Sequence, residues 1–355
     1  MLDRTSFADM LIATVVPQNL SMEQKGAIYT ELQAESNKLL PDKLYRYRRC
    51  SEKNISAFSN DEIWVAKSSL MNDGFDTRPY IDMAEAQESI NQLWDPVENL
   101  TFIEHMLSTE GLPPLFEMIR QHMKAISSDD LNQMLKQVHD FVVNEMVIAS
   151  GYIPNITQES IKIGCFTEEL CSPYMWGQYA DNESGFALEY SFRGTPCVEP
   201  VYQGKPRTGF IFPVIYSNRR YKVTSDYVLF LLKYRLINQA LGHTGLWNID
   251  AKLSQSLIQS VICPDETVTT KIALHKSVLW KQEAEWRLFI SSSDVEFQNK
   301  NVGCCIKKPT AVYLGRRISP LNEKVIRMLA KEKGLSVYKM QLDDASPSYD
   351  LKVGD

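Results

Sequence analysis

Histidine and cysteine are scarce, five and seven in 355 residues. The cysteines (Cys50, Cys165, Cys171, Cys197, Cys263, Cys304 and Cys305) are odd in number and scattered, which excludes a disulfide framework and fits free thiols in a reducing compartment. No stretch approaches ~20 consecutive apolar residues. The one early apolar run, Met10 to Val16, is too short to span a bilayer and lacks a small-residue cleavage pattern. A cytoplasmic protein with no membrane partner is therefore expected. Positive charge is also in short supply: 38 Lys and Arg against 44 Asp and Glu, a net charge of -6, exclude a general nucleic-acid coat, so any polynucleotide contact must be local.

Familiar catalytic signatures are missing too. The chain has no G-x-x-x-x-G-K-[ST], G-x-G-x-x-G, G-x-S-x-G, H-E-x-x-H or C-x-x-C, which removes support for P-loop hydrolysis, Rossmann dinucleotide binding, hydrolase-elbow chemistry and the common zinc sites. His105, His122, His139, His243 and His275 read as surface or core histidines, the Cys304-Cys305 doublet as strand filling, and no metal is expected. Glu283-Ala284-Glu285 is followed by Trp286-Arg287 and so lacks the lysine that a metal-dependent nuclease would use. Repeats and low-complexity linkers are absent as well.

What is present is ample core material, 44% hydrophobic residues with 16 Tyr, 14 Phe and six Trp, enough to fold without staples. Residues 1–40 read as a helical extension, with Ser21 and Gln24 forming a capping box. Period-two or β-rich runs predict strands at Leu44 to Arg49, Glu62 to Lys67, Lys162 to Thr167, Gly185 to Phe192, Cys197 to Gln203, Phe212 to Ser217, Glu285 to Ser291, Ala311 to Gly315 and Ser336 to Met340. Helical patterns fill about 84–150, where Leu131, Met134, Leu135, Val138, Phe141, Val142 and Met146 make one apolar face, and about 225–262. Further helices are predicted from about Thr270 to Lys281 and through Asn322 to Lys333. Strands grouped with helices inserted between them imply an α+β fold, a mixed or antiparallel sheet core in a single domain over 41–345, followed by a tail at 346–355.

Three polar-aromatic clusters are left to carry chemistry. In LYRYRR, Tyr45 and Tyr47 alternate with Arg46 and Arg48, so the arginines are either solvated on an edge strand or placed to grip a phosphate through their planar forks. In MWGQYADNESGFALEY, Trp176 and Tyr179 share a helical face, as a core corner or a ligand wall, and Glu189 is the lone charge in the strand that follows. In KQEAEWRLFI, a strand puts Glu283, Glu285 and Arg287 on one face with Trp286, Leu288 and Ile290 on the other. Two carboxylates so placed repel and raise one another's pKa unless a cation compensates, an arrangement suited to acid-base work or to gripping ribose hydroxyls. The alternative is a Glu285-Arg287 surface salt bridge worth ~0.5 kcal/mol.

Taken in order, Leu44-Tyr45-Arg46-Tyr47, Asn72-Asp73-Gly74-Phe75-Asp76, Cys165-Phe166, Met175-Trp176 with Tyr179-Ala180, Gly185-Phe186 through Glu189-Tyr190, Val214-Ile215-Tyr216 and Lys276 to Arg287 resemble a bacterial family known as domain of unknown function 2971. Gly74 stands where that pattern has proline. The family name carries no activity. A fainter likeness, from an arginine-bearing first strand, a serine-bearing second strand and E-x-E entering a strand, is to ADP-ribosyltransferases. It implies NAD as substrate, with Arg46 or Arg48 on its phosphates, Ser68 or Ser69 at the nicotinamide-ribose pocket, and Tyr45 or Tyr47 stacked on the ring. Asn72, Asp73, Trp176, Tyr179 and Arg287 complete the expected binding set. Glu285 would hold the ribose and stabilise an oxocarbenium-like transition state, with Glu283 deprotonating a protein or nucleic-acid acceptor. Bacterial proteins of this type look like candidates for stress or anti-phage roles. A non-catalytic module that binds a nucleotide or a partner would use the same clusters.

Overall fold

The computed structural model describes residues 4–93, 127–193, 209–244, 255–256, 258–290 and 301–354. It opens with helices α1 (Arg4–Ala13) and α2 (Met22–Leu39), then strand β1 (Leu44–Arg48), α3 (Glu52–Ser59), β2 (Glu62–Lys67), β3 (Tyr80–Ile81) and α4 (Met83–Leu93). The long α5 (Ser128–Ser160) leads into β4 (Lys162–Thr167), α6 (Pro173–Tyr179), β5 (Phe186–Tyr190), β6 (Gly209–Pro213), β7 (Ile215–Ser217), β8 (Lys222–Val223) and α7 (Ser225–Thr244). The chain closes with α8 (Val268–Leu274), β9 (His275–Ser277), β10 (Glu285–Ile290), β11 (Val302–Ile306), β12 (Ala311–Leu314), α9 (Pro320–Glu332), β13 (Ser336–Leu342) and β14 (Leu351–Gly354).

Local chemistry starts several helices. Ser21 and Gln24 close the expected capping box on α2, and Ser51, Ser127, Ser172 and Ser319 cap α3, α5, α6 and α9. Proline at the first position of α6 and α9 sets φ where no N–H partner is needed.

The fold is α+β. Among the described residues ten strands form one mixed sheet, antiparallel except where β12 lies parallel to β13. One face and its flanking helices bury Phe58, Ile63, Val65, Phe166, Phe186, Trp286, Leu288 and Ile326. On the opposite face, α1 and α2 pack Phe7, Leu11 and Leu32 against Ile163, Phe212 and Phe289, so these two helices share a core with the sheet. The inserted helices α4, α5 and α7 meet α8 in a separate apolar cluster that includes Ile90, Met146, Val228 and Ile272. Of the apolar face expected on α5, Met146 is buried and Val142 packs partly, whereas Met134, Val138 and Phe141 are exposed.

The sheet forks at β4. Ile163 to Thr167 pair with β10 on one edge, from Thr167↔Glu285 to Ile163↔Phe289. On the other edge β2 takes Lys162 and Ile163 and β1 takes Thr167, so Gly164, Cys165 and Phe166 face the gap between β1 and β2. Arg46 spans that gap, its Nη2 donating to the Trp64 carbonyl.

Three boundaries differ from the sequence reading. The helix expected to Lys281 ends at Leu274, because His275 to Ser277 pair in parallel with Ile215 to Ser217 and continue into a 3-10 turn, Val278–Glu283. The strand expected over Phe212 to Ser217 divides at Pro213, which has no N–H to donate and hands the pairing from β10 to β9. Residues 346–355, read as a tail, contain β14, which pairs with β13. The strand expected over Cys197 to Gln203 lies outside the described residues.

Gly185 opens β5 where nothing larger fits: a Cβ there would lie 2.1 Å from the Arg48 carbonyl oxygen and 2.9 Å from that of Ala180. Gly26, inside α2, has nothing within 4 Å of such a Cβ. Chemical denaturation should show Gly185→Ala destabilised by about 3 kcal/mol and Gly26→Ala stabilised by roughly 0.5–1 kcal/mol.

Candidate functional site

The site begins with a buried cation. Arg287 lies mid-strand in β10 and is 1% exposed. All five of its N–H donors are taken: Nε donates to Glu285 Oε1 at 2.9 Å, Nη2 to Glu285 Oε2 at 3.2 Å and Asp76 Oδ2 at 2.6 Å, and Nη1 to Asp76 Oδ1 at 2.8 Å and the Ala273 carbonyl. Burial alone pulls the guanidinium pKa down, but Asp76 and Glu285 outweigh it and keep Arg287 firmly protonated. The expected alternative of a surface salt bridge is thereby overturned, since Glu285 is also buried.

Lys276, delivered by β9, is the second cation. Its Nζ bonds Glu283 and lies 2.9 Å from Glu285 Oε2 and 3.9 Å from Asp76 Oδ2. Burial lowers its pKa and the carboxylates raise it further, so it stays charged. Its ammonium also sits 5.2 Å from the centre of the Trp280 ring.

The two glutamates are therefore unequal. Burial pushes the Glu285 carboxyl up, but Arg287 and Lys276 more than reverse this and hold it far below the usual carboxylate range. Glu283 is raised, first by burial and then by Glu285, despite the opposing pull of Lys276. The expectation that Glu283, Glu285 and Arg287 share a strand face is corrected: β10 starts at Glu285, and Ala284 adopts a left-handed conformation at φ 42°. Glu283 thus reaches Lys276 from the 3-10 turn. The left-handed alanine costs about 1–2 kcal/mol, and the Thr167 hydroxyl holds the turn by donating to the Glu283 carbonyl at 2.6 Å. Tyr179 donates to Glu283 Oε1 and receives Asn72 Nδ2 at 3.4 Å.

These groups line one end of a cavity of about 250 Å³ in the fork of the sheet. Tyr45, Tyr47, Trp64, Met71, Phe166 and Met175 supply its apolar walls, with Arg46, Arg48, Asn72, Asp76, Cys165, Tyr179, Lys276, Glu283 and Glu285 as its polar lining. Arg46 is buried, its guanidinium 5.4 Å from the Phe166 ring centre, and its Nε and Nη1 have no hydrogen-bond partner among the described residues. It is not a solvated edge arginine. Arg48 donates to the Tyr47 carbonyl at 2.9 Å. The Cys165 thiol is pushed well up by burial and stays protonated.

Other expected residues sit elsewhere. Trp176 is fully buried, with its indole N–H on the Leu170 carbonyl at 2.7 Å and its ring edge-on to Tyr47, and does not line the cavity. Tyr47 keeps its place in the cavity wall but spends its hydroxyl on the Glu169 and Leu170 carbonyls. Ser68 bonds the Thr77 hydroxyl at 2.7 Å and so supports the loop carrying Asp76, where Thr77 is held at φ 56°. Asp73 accepts from the Phe75 N–H and lies in a neighbouring cleft. Glu189 is absorbed by Thr310, Tyr313 and Lys43.

Asp76 and Lys276 were not among the residues expected to act, although both stand in the quoted motifs. A signal was present: a lysine and an arginine that enter a core need carboxylates, and the N-D-G-F-D loop carries two. Among the described residues no group of three or more His, Cys, Asp or Glu side chains is arranged to hold a metal ion. Asp76, Glu283 and Glu285 converge on Lys276 and Arg287 instead. No helix among the described residues is long and apolar enough to cross a membrane.

Fold and site together define an α+β protein with a buried carboxylate pair at the end of an aromatic pocket. Residues 175–288 match the model of a family described as protein of unknown function, DUF2971, which bears out the family resemblance over that stretch. The matched segment contains Tyr179, Lys276, Glu283, Glu285 and Arg287. No curated protein and no solved structure matches the chain.

The unequal glutamates predict unequal pH behaviour. A carboxyl whose folded pKa is depressed contributes stability above its unfolded pKa, about 4.3, and loses it as pH falls through the folded value. Glu285→Gln should therefore cost about 3–5 kcal/mol near pH 7, with the difference from the parent shrinking in strong acid. Glu283 has the opposite sign: its contribution is present below about pH 4.3 and is lost as pH rises through its raised folded pKa. Thermal unfolding of Glu283→Gln from acid to pH 8 should show its stability rising relative to the parent.

Proposed function

We propose that the cavity binds the nicotinamide-ribose portion of NAD and that the protein transfers ADP-ribose to an acceptor. The observation that carries this reading is the split between the two carboxyls on one ammonium: Glu285 is a fixed anion, Glu283 a carboxyl tuned upward. Environments that push a pair of carboxyls apart assign them different roles. Three carboxylates against two cations leave the cluster one negative charge once Glu283 is ionised, which favours a cationic, oxocarbenium-like transition state over a neutral ground-state sugar.

The cavity is small for a ligand pocket, about 250 Å³ against roughly 300–1,000 Å³ for drug-sized ligands. It suits a ring and a sugar, with the rest of the dinucleotide outside. Aromatic walls favour a flat ring, and the two unpartnered nitrogens of Arg46, Nε and Nη1, favour an anionic or carbonyl oxygen. In the reaction the C1′–N bond breaks with its electron pair leaving on nicotinamide. A bond forms from C1′ to an oxygen or nitrogen of the acceptor, whose proton passes to Glu283. A base with a raised pKa is better matched to neutral pH than an ordinary glutamate. Lys276 and Tyr179 orient it.

Nicotinamide release, followed by chromatography and mass spectrometry, tests the reading. Glu283→Gln should lower kcat by about 10²–10⁴-fold while NAD affinity changes little. Because the base must be deprotonated, the parent's kcat/KM should rise with pH through a limb displaced above the ordinary glutamate pKa, and that limb should vanish in the variant. Nicotinamide release that Glu283→Gln leaves unchanged would overturn the assignment. NAD bound without release of nicotinamide makes the pocket a nucleotide-binding module instead.

A further inference from the structure

Lys276 also lines a second cleft, of about 340 Å³, on the border of the first cavity. Its lining includes the loop carrying Asp73, Phe75 and Arg78, the β7–β8 connection with Arg219 and Arg220, β9 with the turn after it that carries Trp280, and Ile272 of α8. Arg78, Arg219 and Arg220 are all exposed, and among the described residues none is paired with a carboxylate. The Arg220 guanidinium lies 5.8 Å from the Phe75 ring centre and 5.9 Å from that of Tyr80, and is steadied by the Pro79 carbonyl. Phe75 is 68% exposed, more than core packing of a phenylalanine explains. The carboxylate in the cleft, Asp73, has one oxygen engaged by the Phe75 N–H at 2.9 Å.

A chain of net charge -6 has thus gathered three guanidinium groups with no carboxylate partner among the described residues, and the solvent-facing ring of Phe75, into one groove. Phosphates explain the arginines, and flat π-faces explain the ring. Both belong to one polymer when its bases are unstacked. In a duplex the bases are stacked within the helix and out of reach of Phe75, and a phosphorylated peptide supplies the charge but not the ring.

We propose that this cleft binds single-stranded nucleic acid, with phosphates on Arg78, Arg219 and Arg220 and a base stacked on Phe75. The border at Lys276 sets the strand beside Glu283, where it would serve as the acceptor; that role rests on the reading given above, whereas strand binding does not.

Fluorescence anisotropy of the full chain with labelled single strands of about 12 nucleotides, DNA and RNA, tests the site in the absence of NAD. The duplex of the same sequence and a phosphoserine peptide are compared in parallel. Binding of a single strand should weaken with salt between about 50 and 200 mM, log Kd changing by about 0.7 per log unit of salt for each phosphate held. The double variant Arg219→Ala/Arg220→Ala should raise Kd at least tenfold and flatten that slope by roughly one to two phosphates. Phe75→Ala should raise Kd about tenfold with the slope unchanged. The proposal is overturned by absence of strand binding at the lowest salt, by preference for the duplex or the phosphopeptide, or by a double variant that binds with the parent's affinity and slope. With NAD left out, failure here leaves the nicotinamide-release result standing, and failure there leaves this one standing.

Discussion

The rest of the site depends on burying the Arg287 guanidinium. A permanent charge in the interior requires its donors to be met, and Asp76, Glu285 and the Ala273 carbonyl meet all five. Each of these partners belongs to a different segment. Asp76 ties the loop of residues 71–80 to β10, Glu285 anchors the start of the same strand, and Ala273 joins α8 to it. Replacing such a network wholesale by apolar groups is often neutral for stability, whereas removing one partner is not. Its importance here lies in orientation: with Glu285 committed to Arg287, Lys276 is left to share its charge with Glu283.

The fork in the sheet turns that network into a site. Where β1 and β2 diverge from β4, strand edges that would otherwise pair with each other face a cavity, and Arg46 crosses the opening to the Trp64 carbonyl. Gly164 at the fork has Val65 3.1 Å from where a Cβ would stand, so little room remains for a side chain on that face. Carboxyls at one end and aromatic walls, with Arg46 among the lining residues, make an asymmetric pocket. The second cleft meets it at Lys276, whose ammonium serves the acid pair while Trp280 covers it.

Much of the fold was legible because its signals are local. The period-two runs at Leu44, Glu62 and Lys162 became strands within a residue of their expected ends, and the serine caps began their helices. The site was legible only in part. Trp176 and Tyr179 lie three residues apart on α6, yet one ring is buried in the core and the other hydroxyl reaches Glu283. The helical pattern from Thr270 onward concealed that Lys276 is drawn out of the helix by pairing with Tyr216, a contact across 60 residues of sequence. No spacing rule foretold the left-handed Ala284 that detaches Glu283 from the strand.

By itself the sequence determined that Glu285 and Arg287 share a face: they alternate with Trp286 and Leu288, and the period of a strand is enough to put them together. Only the tertiary structure decided which carboxyl is locked and which is tuned. A pKa depends on burial and on the charges within a few ångströms, and those neighbours, Asp76 and Lys276, come from loops and strands distant along the chain.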